Sequence, residues 1–293
     1  TMEAILKVRG LKKHYPRFDL HQIDLDLPGG CIMGFVGENG AGKTTTLKCI
    51  LNVAGRDGGS VELIGETKPG RQKALMEEVG VVFSDAGFHP VMTGKDINQI
   101  MKGIYKNWQE EDFFGFLKRL KVDPCQEYQN LSRGTRIKLQ LAAALSHQPR
   151  LLLLDAPTSG LDPVVRDEIL EIFQEFILDE RKSILFSTHI TSDLEKIADY
   201  VTFIHQGRIL LTEAKDDLLY RYGIWRGRQS ELERLPEEAV LKVCVTGLGR
   251  SALVDRKKLE SQENVERPTI EEILLHLVKG KTAGQWEQGG KTE

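Results

Sequence analysis

The 293 residues are 40% hydrophobic and 28% charged, a globular balance that excludes wholesale disorder. The net charge of −3 supplies no basic field for nucleic acid, so no nucleic-acid partner is expected. No apolar run approaches the ~18 residues of a spanning helix, so a membrane role has to come through another protein.

The length suits one large domain with or without a smaller appendage. No charged–apolar–small leader opens the chain, and Thr1 ahead of Met2 is set aside as an added residue. Residues 4–8 and 19–27 alternate apolar and polar side chains, which predicts two half-buried strands. Pro28-Gly29-Gly30 turns the chain, and residues 31–36 form a continuous apolar run, the mark of a strand covered on both faces. A glycine-rich loop leads into a helix expected over 43–52, with short strands at 61–64 and 79–83. From about 96 to 146 the pattern is helical. Leu151 to Asp155 reads as a second fully buried strand. Val165, Ile169, Phe173 and Phe176 mark one helix face, and strands follow at 183–187 and 200–205. Gln206-Gly207 turns into a strand at 209–211. Alternating strands and helices argue for an α/β fold with a mostly parallel sheet. The composition shifts near 221–228. A strand is expected at 240–245, then a helix striped by Ile270, Ile273, Leu274, Leu277 and Val278. Thr269 and Glu272 match a capping box there, and Gly280 a stop. The tail from 281 to 293 is polar and reads as disordered. Cys31, Cys49, Cys125 and Cys244 lack metal or CxxC spacing and read as small apolar residues in a reducing compartment.

Gly37-Glu38-Asn39-Gly40-Ala41-Gly42-Lys43-Thr44 fits G-x-x-x-x-G-K-[ST], with a buried strand leading in and a helix leading out. Glycines let backbone amides approach phosphate oxygens, and the following helix start adds partial positive charge. In that chemistry Lys43 places a cation between the β and γ phosphates, and Thr44 offers its hydroxyl to Mg²⁺. Thr45 follows inside the same turn. Asp155, at the end of a buried strand, is the matching acidic group for Mg²⁺. ATP and Mg²⁺ are therefore the expected ligands.

With these residues in place the chain resembles the ABC ATPase family over residues 5–211. Leu131-Ser132-Arg133-Gly134-Thr135 lies about twenty residues before Asp155, where that family carries its LSGGQ signature. Ser132 and Gly134 are kept; Arg133 and Thr135 depart, in a form similar to ABC-2-type bacterial exporters. Ser159-Gly160-Leu161-Asp162 resembles the D-loop, and Ser187-Thr188-His189 the switch-histidine region. The resemblance implies that Tyr15 stacks on adenine, that His189 contacts the γ-phosphate, and that Ser132, Gly134 and Asp162 belong to the nucleotide site. It implies a P-loop NTPase with a mixed, mainly parallel sheet, an antiparallel β subdomain and an inserted helical subdomain at about 86–148. The ATPase domain is expected over 2–215 and a small α+β extension over 216–280. A site is split in this family between two copies, so a homodimer or heterodimer is implied, docked on integral-membrane permease subunits at the cytoplasmic face of the membrane. Residues 85–98 are expected to face the permease.

Two positions depart. Ala156 follows Asp155 where active members carry the catalytic Glu. A group that orients or deprotonates water contributes about 10²–10⁴-fold, or ~3–5 kcal/mol of barrier, so ATP binding with strongly reduced hydrolysis is expected. An introduced substitution and a naturally degenerate subunit both fit Ala156. Ser84-Asp85 stands where the family usually has Gln, and Ser84 is a candidate metal contact through a bridge. Competing functions are a soluble ABC protein acting on ribosomes or DNA and a regulatory ATP-binding module without transport. The chain lacks the second ATP unit, the long coiled coil and the basic stripe of the first.

Overall fold

A computed structural model describes residues 3–67, 72–246, 249–259, 261 and 263–282. Most of the expected tail, 283–293, lies outside the described residues. Two structural units divide between Ile209 and Leu210.

In the first unit the elements run β1 (Ala4–Tyr15), β2 (Phe18–Pro28), β3 (Ile32–Val36), α1 (Lys43–Ile50), β4 (Gly58–Leu63), α2 (Gln72–Met76), β5 (Val79–Phe83), α3 (Gly94–Ile104), α4 (Glu110–Arg119), α5 (Arg133–Leu145), β6 (Leu151–Asp155), α6 (Pro163–Phe176), β7 (Ser183–Thr188), α7 (Thr191–Ile197) and β8 (Tyr200–His205), and the boundary falls inside β9 (Arg208–Ala214). β3, β6 and β7 are buried along their whole length, as strands covered on both faces require. They form the centre of a sheet ordered β5-β6-β7-β3-β8-β9, with β5, β6, β7, β3 and β8 all parallel. A second, antiparallel sheet is ordered β2-β1-β4, and its β1–β2 hairpin closes through Pro16-Arg17. Leu25 and Leu27 of that sheet join Phe35, Leu47, Leu153 and Leu185 in one core around α1. The fold is a P-loop α/β domain with a mainly parallel sheet and an antiparallel sheet beside it.

The structure trims several expectations. α1 stops at Ile50, because Asn52 takes a left-handed φ of 57°. β4 starts three residues early and ends at Leu63, before Ile64 at φ 51°. The helical stretch resolves into α3, α4 and α5, each with its own start. Thr93 and Asp96 form a capping box on α3, and Ser132 caps α5. α6 buries Ile169, Phe173 and Phe176 as the stripe predicts, with Val165 half-buried. Cys125 is exposed, unlike the buried cysteine expected there; Cys49 is buried and all four thiols are free.

The second unit comprises α8 (Lys215–Arg221), β10 (Tyr222–Gly227), α9 (Gln229–Leu232), β11 (Val240–Thr246), β12 (Gly249–Asp255), β13 (Val265–Glu266) and α10 (Ile270–Lys279). Its sheet is antiparallel, ordered β11-β12-β10-β13. Only β11 and α10 were legible beforehand. β10 reads Tyr-Gly-Ile-Trp-Arg-Gly, which buries four consecutive residues and so carries no alternation. The Thr269–Glu272 capping box is present. The buried face of α10 is Ile270, Ile273 and His276, whereas Leu274, Leu277 and Val278 are half-buried. His276 is accommodated because both ring nitrogens are satisfied, by the Glu272 carbonyl at 2.7 Å and the Ser251 hydroxyl at 3.0 Å.

Candidate nucleotide-binding site

The glycine-rich loop leaves the C-terminal end of β3 and enters α1 at Lys43. At Gly37 a Cβ would lie 2.2 Å from the Ile204 carbonyl oxygen, so only glycine fits beside β8. Gly42 has φ 113°, and a Cβ there would meet Leu20 Cδ2 at 2.6 Å. The loop is tied down by Ala41 N donating to Glu38 O at 3.1 Å and Gly207 N donating to Ala41 O at 2.9 Å. Lys43 is 8% exposed, and its ammonium donates to Gly37 O at 2.6 Å and Glu38 O at 2.9 Å. Burial pushes its pKa below the ordinary value, against the opposing pull of Asp155 and Glu38. A cation held inside a cradle of backbone groups is built to receive phosphate.

Asp155 ends β6 in parallel register with Ser187 of β7 and Phe83 of β5. It is 2% exposed, yet each carboxylate oxygen has hydroxyl partners. Thr44 Oγ1 donates to Oδ2 at 2.8 Å, Ser84 Oγ to Oδ2 at 3.4 Å, and Ser187 Oγ to Oδ1 at 2.6 Å. This chemistry fits Mg²⁺: Thr44, Asp155 and Ser84 offer hard oxygens only, leaving the remaining positions to water and phosphate. No cluster of three or more His, Cys, Asp or Glu able to hold a metal exists among the described residues. Ala156 follows at φ 48°, its N–H donating to Ser187 Oγ at 3.0 Å and to Ser187 O at 3.1 Å.

One cavity of about 850 Å³ gathers Tyr15, Asn39, Gly40, Gly42, Lys43, Thr44, Thr45, Ser84, Asp155, Ala156 and His189. Tyr15 is 39% exposed at the β1–β2 turn, with the Lys13 ammonium 5.2 Å from its ring centroid. His189 is exposed at the end of β7. Gly37, Glu38 and Ala41 shape the loop rather than line the cavity. Ser132, Gly134 and Asp162 also stand outside it. Ser132 Oγ accepts from Thr135 N at 3.2 Å, and Asp162 Oδ1 accepts from Val164 N and Val165 N at 3.1 Å, so both cap helices here.

Sequence reasoning gave no site role to Arg17, Arg133 or Ser159, which also line the cavity; Ser159 stood only as the first residue of the D-loop resemblance. It also missed Asp193, fully buried, which accepts from Thr158 Oγ1 at 2.7 Å and Arg166 Nε at 2.5 Å. These bonds tie the segment after Ala156 to α6 and α7. No sequence signal marks Arg17, a residue of the hairpin turn; Arg133 stood inside the signature, and its departure from glycine was the signal.

Comparison with known proteins follows the same lines. Residues 20–159 match the family model described as ABC transporter. The bacitracin transport ATP-binding protein BcrA of Bacillus licheniformis is 31% identical over 213 residues, covering 71% of this chain and 69% of that protein. The lantibiotic transport ATP-binding protein SrtF of Streptococcus pyogenes is 29% identical over 72% of this chain and 92% of its own length. The linearmycin resistance ATP-binding protein LnrL of Bacillus subtilis (strain 168) is 24% identical over 93% of this chain and 84% of its own. An ATP-binding subunit of an ABC transporter superposes with a TM-score of 0.68 at 22% identity, covering 74% of this chain and 92% of that one. A dimeric ATP-binding cassette holding ADP and phosphate superposes with a TM-score of 0.63 at 18% identity, covering 71% and 98%. With its phosphate loop, its acidic strand end and these relatives, the chain belongs to the ABC transporter family, as an ATP-binding subunit.

Proposed function

We propose that the chain is the ATP-binding motor subunit of an ABC-2-type exporter, closing in pairs over Mg-ATP to move a separate integral-membrane permease. The observation that carries this reading is the joint placement of Lys43, Thr44 and Asp155 in one cavity. Lys43 exchanges its two carbonyl partners for phosphate oxygens. Thr44 and Asp155, with Ser84 at longer range, are the residues that would hold Mg²⁺. When bound, the ion neutralises charge on the β and γ phosphates. Tyr15 offers a face to the base, and His189 a ring nitrogen at the phosphate end.

Ser132 and Gly134 line no part of the cavity of their own chain, which favours a second copy or a related subunit supplying that edge. No helix among the described residues is long and apolar enough to cross a membrane, so the proposed place at the cytoplasmic face is held through the permease. Residues 85–98, next to Ser84, are proposed to face it. The proposed domain bounds are 2–215 for the ATPase and 216–280 for the extension. Relatives named for bacitracin, lantibiotic and linearmycin point to peptide or antibiotic cargo.

Ala156 supports a second feature of this reading: binding survives and hydrolysis is slow, because a methyl group neither orients nor deprotonates water. The test is co-purification with a polytopic membrane protein from a membrane fraction, alongside Mg-ATP affinity of the purified chain. Affinity for ATP with no membrane partner would favour a regulatory module instead.

A further inference from the structure

β1 ends in Lys13, His14 and Tyr15, which pair with Leu20, Asp19 and Phe18 of β2 and carry the strand into its hairpin turn. Side chains two residues apart on a strand share a face, so Lys13 and Tyr15 lie side by side. The Lys13 ammonium stands over the Tyr15 ring, 5.2 Å from its centroid. Tyr15 and the residues after it, Pro16, Arg17 and Phe18, line the nucleotide cavity, whereas Lys13 is not among the lining residues. The ammonium therefore sits against the ring from outside the cavity.

Asp57, the residue before β4, holds that ammonium in place. Its Oδ1 accepts from Lys13 Nζ at 3.2 Å, and its Oδ2 accepts from His14 N at 2.6 Å. Its own N–H donates to Lys12 O at 2.9 Å, so the carboxylate is fixed to the strand that carries Tyr15. The His14 amide, and then the Lys13 ammonium, hold the Asp57 carboxyl below its ordinary range, which keeps it charged at neutral pH. The Lys13 side chain is only 18% exposed, unlike the freely solvated lysine of an ordinary surface pair. A cation over an aromatic face is attracted by the ring quadrupole, and the attraction grows as water is removed. A tyrosine beside a hairpin turn otherwise samples several staggered rotamers. The Asp57–Lys13 pair favours the one that lies under the ammonium.

We propose that Lys13 is a positioning residue for the nucleotide base: fixed by Asp57, it backs one face of the Tyr15 ring and leaves the opposite face presented to the base. This rests on the ATP-binding reading above. Stacking of a base on an aromatic side chain needs a ring face in the right orientation. Lys13 acts through that ring and touches neither base nor phosphate.

The experiment is a double-mutant cycle on the full chain, with Mg-ATP affinity read by calorimetry. It compares the unaltered chain, Lys13→Met, Tyr15→Ala and the double variant, after thermal melts confirm folding. Lys13→Met keeps an unbranched stem and removes the charge. The expected result is an affinity loss of about two- to five-fold in Lys13→Met, the scale of one cation–π contact. In the Tyr15→Ala background the same substitution should change affinity by less than about 1.5-fold, because the ring it acts through is gone. Lys13→Arg should retain the affinity, since a guanidinium also stacks on a ring and pairs with a carboxylate. Asp57→Asn should weaken binding in the unaltered chain and add no loss to Lys13→Met. Unchanged affinity in Lys13→Met overturns the proposal while leaving ATP binding intact. An equal loss with and without Tyr15 also overturns it, because the lysine then acts on the phosphates or on the fold. Absence of Mg-ATP binding to the unaltered chain overturns this proposal and the functional reading together.

Discussion

Ser187 and Asp155 face each other in parallel register at the ends of β7 and β6, and the Ser187 hydroxyl donates to Asp155 Oδ1 at 2.6 Å. The same hydroxyl accepts from Ala156 N at 3.0 Å. Ser187 is fully buried, so it fixes both the carboxylate and the backbone that follows it. Ser187→Ala leaves a buried charged acceptor short of one donor, which costs about 1.5–3 kcal/mol. Urea unfolding should show that loss with an unchanged m-value, and Mg-ATP affinity should fall as Asp155 loses its orientation.

Ala156→Glu tests what the methyl group leaves out. The backbone there is already left-handed at φ 48°, so the substitution meets strain that alanine already bears. Steady-state phosphate release should rise about 10²–10⁴-fold if a water-activating carboxylate is all the site lacks. No gain above background would mark the subunit as degenerate beyond this position.

His147 predicts a pH effect outside the nucleotide site. It is 2% exposed, stacked on Tyr105 with centroids 4.0 Å apart, and its Nδ1 donates to Glu77 O at 2.9 Å. Burial pushes its pKa below the ordinary 6.5, against the raising effect of the Glu77 carbonyl. With the folded value depressed, the unfolded chain takes the proton first as pH falls. Stability is therefore full above about 6.5 and declines as pH drops below it, ahead of the carboxylates. Denaturant midpoints at pH 7.5 and 5.5 should differ, and His147→Gln should shrink the difference even if it lowers both values.

The phosphate loop and the buried strands were legible because their signals are local: glycine spacing, a lysine-threonine pair and short apolar runs. Ser187 was visible only as the start of a motif; its bond to Asp155 depends on the β6–β7 register, which no local pattern encodes. Arg133 was visible only as a departure from the signature, because its place against Gly160, where a Cβ would stand 3.1 Å from Arg133 Nη1, needs α5 to start beside the loop before α6. β10 and β12 escaped notice since residues buried on both faces of a small sheet show neither alternation nor a long apolar run. His276 was passed over on the α10 stripe because its buried ring depends on Ser251, a residue of another strand.

The central claim is that the cradle around Lys43 grips nucleotide phosphates with Mg²⁺ held by Thr44 and Asp155. The most direct measurement is equilibrium Mg-ATP binding to the purified full chain, set beside Lys43→Ala. The account predicts saturable binding that requires magnesium and weakens by at least about ten-fold in Lys43→Ala, the scale of one lost charge-assisted contact. Absence of measurable affinity in the unaltered chain, or equal affinity in Lys43→Ala, would contradict it.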